Sequence, residues 1–337
     1  MKIVIAPDSF KECMSSQQVA ACLADAVRTR WPEAEVVELP LADGGEGTLD
    51  ILADALHARP MQADVHDPLG RPIIARYALA GEMAIVEVAQ AIGLSLLKAD
   101  ERNPLTATGA GLGELLLAAH GNGCRHFLIA LGGTATCDGG AGMLGVPGIE
   151  QLKDSRFELL CDVEAPFIGP KGAARVFAPQ KGASPEAVEV LEARLTALAR
   201  ELKTFTGVDV ADLPGAGAAG GLGGAFMAYF HAEKRQGIIR VLDLVHFTEA
   251  IRGADLIITG EGKSDVQTLM GKVPMGVLNH SNGVPVALLS GRIEDRPALE
   301  QAGFGPILEI SPRSLPLSEA LNPLVAANNL RRAILSF

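Results

Sequence analysis

Carboxylates, hydroxyls and lysines gather in four short stretches, three of them rich in glycine. They are Pro7-Asp8-Ser9-Phe10-Lys11, Ala42-Asp43-Gly44-Gly45-Glu46-Gly47-Thr48, Gly132-Gly133-Thr134-Ala135-Thr136-Cys137-Asp138-Gly139-Gly140 and Gly260-Glu261-Gly262-Lys263-Ser264-Asp265. Glycine lets backbone N–H groups approach phosphate oxygens, and a helix N-terminus adds positive potential. A carboxylate beside such a turn can accept a hydroxyl proton or bind a hard cation. One such turn is more often structural than functional. Four of them with embedded carboxylates exceed what turn geometry requires.

Two motif matches are decoys. Gly215-Ala216-Gly217-Ala218-Ala219-Gly220 fits the dinucleotide pattern, but Asp212 and Pro214 stand where that pattern needs a buried strand. Gly262-Lys263-Ser264 copies the end of a Walker A loop, yet Ile257 occupies the position of its leading glycine. The run Gly220-Gly221-Leu222-Gly223-Gly224 suits either a phosphate approach or close helix packing. Lys181 and Lys272 each lie in a turn context, where lysine is usually solvated. Cys137 has no neighbouring histidine to activate it and reads as a buried or turn-lining thiol.

These side chains need elements to hold them. Lys2–Ala6 is an apolar run without alternation, as expected of a strand buried on both faces of a parallel sheet. Ser15 or Ser16 can cap a helix to about Arg30, with Val19, Cys22, Leu23, Ala26 and Val27 on one face. Glu35–Leu39 predicts a second strand and Leu49–Ala58 a second helix. Near the C-terminus, Asp255–Thr259, Val284–Leu289 and Pro306–Ile310 predict three more strands. The middle differs: Arg71–Leu79 and Met83–Val88 flank Ala80-Gly81-Glu82 as a hairpin, followed by a helix over about Thr106–Gly121 and a strand over His126–Leu131. The expectation is an α/β protein: an open, mostly parallel, flavodoxin- or Rossmann-like sheet domain with a second, inserted mixed α/β domain. The first would comprise residues 1–62 and 240–337, the second 63–239, with a ligand cleft between them.

Composition narrows the class. The chain has 337 residues, 48% hydrophobic and 20% charged, enough for sizeable cores and more than one domain. A formal charge of −11 without a basic tract argues against nucleic acid. The five cysteines form no Cys-x-x-Cys pair and the seven histidines no plausible zinc pair, so no disulfide framework or zinc site is expected. The start Met-Lys-Ile-Val-Ile-Ala-Pro-Asp is not a signal peptide, and no stretch reads as a membrane span; a cytoplasmic location is expected.

Eight stretches in order then carry a specific resemblance: IAPDSFKECMSSQQVA, DGGEGT, NPLTATGAGLGELL, GGTATCDGGAGML, CDVEAPFIGPKGA, FAPQKGA, PGAGAAGGLGGA and TGEGKSDVQTLMGKVPMGV. The chain resembles the bacterial glycerate kinase family, the two-domain α/β type without a Walker A loop, over essentially its whole length. The resemblance implies transfer of the ATP γ-phosphoryl group to glycerate, mostly to the 2-hydroxyl, with ATP and Mg²⁺ as cofactors. It departs from the family pattern at Cys137, where asparagine is usual, and in the short segments between Leu144 and Cys161 and near Asn279–Gly283.

On that resemblance Asp8, Ser9, Lys11, Asp43 and Glu46 are expected to bind substrate. Asp138 or Asp162 would be the base, with Lys11 also in the catalytic set. Gly132, Gly133, Thr134, Thr136, Gly139, Gly140, Gly220, Gly221 and Lys272 would hold phosphate or nucleotide, and Glu261 and Asp265 the metal. Alternatives are a glycerate 3-kinase, a related sugar-acid kinase, and a non-catalytic sensor of glycerate or nucleotide. Partners are the small-molecule substrates, without nucleic acid or membrane; the oligomeric state stays open, a homodimer being compatible.

Overall fold

The computed structural model describes residues 1–337. Its strands are β1 (Lys2–Ile5), β2 (Glu35–Glu38), β3 (Arg59–His66), β4 (Pro72–Ala80), β5 (Met83–Glu87) and β6 (His126–Ala130), followed by β7 (Arg156–Leu160), β8 (Glu233–Arg235), β9 (Leu256–Ser264), β10 (Val286–Ile293) and β11 (Ile307–Glu309). They form two sheets, and the chain divides into two compact units.

The first unit is Met1–Asp43 with Ile238–Phe337. Its five strands lie in the order β11-β10-β9-β1-β2, all pairings parallel. Strands from both ends of the chain share this sheet, as the apolar runs predict. The helix Ser16–Arg30 starts where expected: Ser15 accepts the Gln18 N–H while the Gln18 side chain accepts the Ser15 N–H, a capping box. Its buried face is Val19, Ala20, Leu23, Ala24, Ala26 and Val27, with Cys22 only partly covered. It packs with Ile3, Ile5, Ile258, Leu289 and the C-terminal helix residues Leu330 and Ile334 in one core. Parallel strands order their carboxyl ends on one edge, where open α/β sheets bind ligands. The sheet reverses direction of winding between β1 and β9, so Asp8 and Glu261 stand at the switch point.

The second unit is Gly44–Gly237. Its sheet runs β3-β4-β5-β6-β7-β8, antiparallel from β3 to β5 and parallel from β5 to β8. The β4–β5 hairpin was legible from the turn at Ala80-Gly81-Glu82. The boundary between units falls at 43/44, where the sequence suggested 62/63. The reason is local: the helix Thr48–Ala55 buries Leu49, Ile51 and Leu52, and β3 pairs with β4, so neither belongs with the first sheet. A 22-residue helix, Pro185–Thr206, buries Val188, Leu191, Leu195, Ala199 and Leu202 against Phe167, Ala174 and Val210. No helix is long and apolar enough to cross a membrane.

Candidate active site

In the first unit, the carboxyl edge of the parallel sheet collects the acidic residues. Asp8 follows β1; its N–H donates to Gly260 O at 2.8 Å, and its Oδ1 accepts the Ser9 N–H at 2.7 Å. The side chain is only 6% exposed. Burial, then the neighbouring Asp43 carboxylate, push its pKa up to about 7, against the pull of the Ser9 N–H and Lys11. Glu261 adds a weaker upward push. Lys11 itself is exposed and Asp43 half-buried. Asp43 is held near Asp8 because Leu41 N–H donates to Pro7 O at 2.9 Å.

The stretch Gly260-Glu261-Gly262 is not the turn its glycines suggest. It continues β9 to Ser264, paired with β10, because the glycines permit close strand approach. The Walker-like Gly262-Lys263-Ser264 therefore lies in extended strand, and no phosphate loop forms there. Glu261 is buried, and its Oε1 accepts Ser264 Oγ at 3.0 Å and Thr268 Oγ1 at 2.6 Å. Lys272 Nζ lies 3.7 Å from its Oε2. Burial raises the Glu261 pKa, opposed by Thr268 and Lys272. Asp265 is half-buried, with Lys263 Nζ 3.3 Å from its Oδ2 and the Gln267 N–H on its Oδ1 at 2.8 Å. Burial pushes its pKa up, but the Gln267 N–H and Lys263 win and hold it below the usual range.

In the second unit, two glycine-rich loops interlock. Residues 132–140 leave β6 and are stitched to 92–94: Leu94 N–H donates to Gly133 O and Ala135 N–H to Ile92 O, both at 2.8 Å. Gly132 passes so close to the neighbouring loop that a Cβ there would lie 2.6 Å from Gly45 Cα. Thr134, Thr136, Gly139 and Gly140 are buried, while Gly133 is exposed. The Asp138 carboxylate accepts three backbone N–H groups, from Gly109 at 2.8 Å and from Gly140 and Gly142 at 3.0 Å each. It ties the loop to the N-terminus of the helix Ala110–Gly121. Gly220 and Gly221 lie under residues 136–139, with Gly139 N–H donating to Gly220 O at 3.0 Å. Close packing is thus the role these two glycines show. Asp162 is exposed at the end of β7 and accepts the Gly237 N–H at 3.0 Å; Glu46 is exposed on its loop. Cys137 is buried, and burial pushes its thiol up to about 11, the inert state expected of it.

Two residues of this second site escaped sequence reasoning. Lys181, read as a solvated turn lysine, is 3% exposed and donates to Thr134 Oγ1 at 2.9 Å and Thr136 O at 2.6 Å. Its only sequence signal was its place in the FAPQKGA stretch. Glu87 is 2% exposed, and its Oε2 accepts the Gly47 N–H at 3.0 Å and the Leu49 N–H at 3.2 Å, fixing the Gly44–Thr48 loop. Burial pushes its pKa up. A carboxylate closing the apolar run Met83–Glu87 was the available signal.

Carboxylates on a parallel sheet edge, and glycine loops braced by buried charged groups, give the chain the features of an α/β ligand-binding protein. The glycerate kinase family profile matches residues 3–152 and 147–336. A glycerate kinase of Bacillus subtilis is 39% identical over 95% of this chain and 93% of its own length. A glycerate 2-kinase of Escherichia coli K12 is 38% identical over 99% of this chain and 96% of its own. A crystal structure from Salmonella typhimurium LT2, assigned as glycerate kinase 2, superposes with a TM-score of 0.85 at 38% identity, covering 100% of this chain and 96% of that one. The chain belongs to the glycerate kinase family, and it is a kinase.

Proposed function

We propose that this kinase transfers the γ-phosphoryl group of ATP to the 2-hydroxyl of D-glycerate, giving 2-phosphoglycerate. The observation that carries the reading is the near-full-length similarity to the E. coli relative named glycerate 2-kinase, 38% identical over 99% of this chain. Catalysis of phosphoryl transfer is mostly positioning and charge stabilisation.

Lys11 is exposed beside Asp8 and suits the glycerate carboxylate. Asp8 suits the acceptor hydroxyl better than the two carboxylates first considered. Asp138 already takes three N–H bonds in holding its loop, and Asp162 takes the Gly237 N–H. A carboxyl group that titrates near neutrality can accept a proton when the hydroxyl attacks and release it afterwards. Ser9 fixes the orientation of that carboxylate through its N–H, and Asp43 adds a second carboxylate beside it. Residues 132–140 would present N–H groups to phosphate, and Lys272 would add positive charge beside Glu261 in the first unit.

Mg²⁺ fits the β9 end. Glu261 in β9 and Asp265 just after it offer hard oxygen donors, both tied to Thr268 Oγ1, and kinase Mg²⁺ needs only one or two carboxylates beside phosphate and water. When bound, the ion would neutralise charge developing on the phosphate oxygens. Ser264 and Thr268 hold Glu261 in one orientation, and Lys263 and Lys272 keep the acidic pair from accumulating uncompensated charge.

Phosphorus NMR of the product from ATP, Mg²⁺ and D-glycerate tests the proposal. The 2-phosphoglycerate resonance should dominate. A spectrum holding only 3-phosphoglycerate would overturn the regiochemistry, and no ADP formation with glycerate would overturn the acceptor.

A further inference from the structure

Lys181 has no carboxylate at ion-pair distance. Its ammonium meets two neutral oxygens, Thr134 Oγ1 and Thr136 O, in the interior of the second unit. Taking a charged group out of water is expensive unless an opposite charge or a full set of hydrogen bonds compensates it. Two neutral acceptors need only a neutral donor. An amide side chain would hold the same loop without burying a charge, so the positive charge is surplus to a purely structural tie. A second observation points to the same spot: Thr136 Oγ1 is buried with no hydrogen-bond partner in the protein. A polar group left so is unusual and calls for a missing partner or a function.

We propose that Lys181 is a positioning residue for the nucleotide phosphates: it holds the Thr134–Thr136 backbone in shape and supplies, through that loop, the positive charge an anionic phosphate needs. The role rests on the ATP-dependent reading above. Lys181 is too buried to touch the ligand, so it acts on what the loop presents outward. The exposed Gly133 and half-buried Gly132 are the part of the loop that reaches solvent. The counter-charge missing from the protein is then brought by the substrate. The titratable groups that face Lys181 are Cys137, whose thiol stays protonated to about pH 11, and Asp138, whose carboxylate is spent on backbone N–H groups. Burial lowers the Lys181 pKa to about 8. Phosphate binding favours the protonated lysine, so it should pull a proton onto the protein just above that pH.

The experiment uses the full chain with ADP and Mg²⁺. Titration calorimetry at pH 8.5 in two buffers of different ionisation enthalpy should show net proton uptake on binding. Affinity should fall up to tenfold per pH unit above about pH 8, the linkage expected of one titrating group. Lys181→Gln keeps a hydrogen-bond donor for the loop but removes the charge. It should abolish proton uptake and raise KM for ATP at least tenfold, with KM for glycerate changed less than threefold. A tie that is only structural predicts normal ATP kinetics in Lys181→Gln and no proton uptake in the wild-type protein; either result overturns the proposal. If Lys181→Gln does not fold, wild-type proton uptake still decides. Absence of ADP binding together with absence of ATP turnover would overturn the kinase reading and this role with it, whereas ADP binding without proton uptake overturns the role alone.

Discussion

Asp8 shows how a single buried carboxyl group can work against stability. Its pKa is about 7 in the folded chain and near the ordinary 3.8 when unfolded, chiefly through burial and then through Asp43. Between those values the folded state binds more protons than the unfolded one. Stability therefore falls as pH rises through that window, and the full penalty is present above about pH 7. Each unit of difference is worth about 1.4 kcal/mol, so the penalty is on the order of a few kcal/mol. Asp8→Asn keeps an oxygen for the Ser9 N–H and removes the charge. The variant should melt several degrees above wild type at pH 8, with the gap closing toward pH 4. Its kcat should fall at least a hundredfold if Asp8 accepts the hydroxyl proton. Thermal melts across pH settle the first half: a variant less stable than wild type at pH 8 would show that Asp8 is not a destabilising buried charge.

At the level of elements, the glycine loops divide into those that extend strands and those that pack on each other. Gly220 sits at φ 71°, and a Cβ there would fall 2.2 Å from Thr136 O and 2.8 Å from Cys137 Cα. Gly220→Ala should therefore cost about 2–4 kcal/mol, from left-handed strain plus displacement of the 136–139 backbone. Activity should drop with it, because that backbone carries the Lys181 contact. A melting temperature within a degree of wild type would refute the interlock. The sequence reading found the helix Ser16–Arg30, the β4–β5 hairpin and all five strands of the parallel sheet, since continuous apolar runs and a capping serine are local signals. It stopped β9 at Thr259 because glycine usually ends a strand, and only pairing with β10 shows otherwise. It passed over the helix Pro185–Thr206, whose apolar residues are spread among many charges. The loops that carry the candidate site were visible by composition. What each acidic or basic side chain does there was not, because the burial of Lys181 and Glu87 and the three N–H bonds on Asp138 come from contacts distant in sequence.

At the scale of the molecule, one unit is continuous in sequence and the other is assembled from both ends of the chain. Residues 44–237 contain a six-stranded sheet entire, and the two apolar clusters behind it draw every member from that range. Stacked Phe127 and Phe157, with Phe226 and Phe230 against Phe157, anchor the larger cluster. The first unit has no such independence, since β1 pairs with β9, more than two hundred residues away, and its core needs both segments. A chain of this length with its own core lies within the ordinary range for autonomous domains. The excised segment Gly44–Gly237 should thus fold alone, giving a single cooperative urea transition and dispersed amide resonances, while lacking kinase activity because Asp8, Lys11 and Glu261 are absent. The complementary segment Ile238–Phe337 by itself should not, because β9 loses its β1 partner and the helix Pro323–Leu335 loses the face of Ser16–Arg30 that it packs against. Should Gly44–Gly237 show no cooperative transition, its core would depend on the other unit, and the boundary at 43/44 would not mark a folding unit.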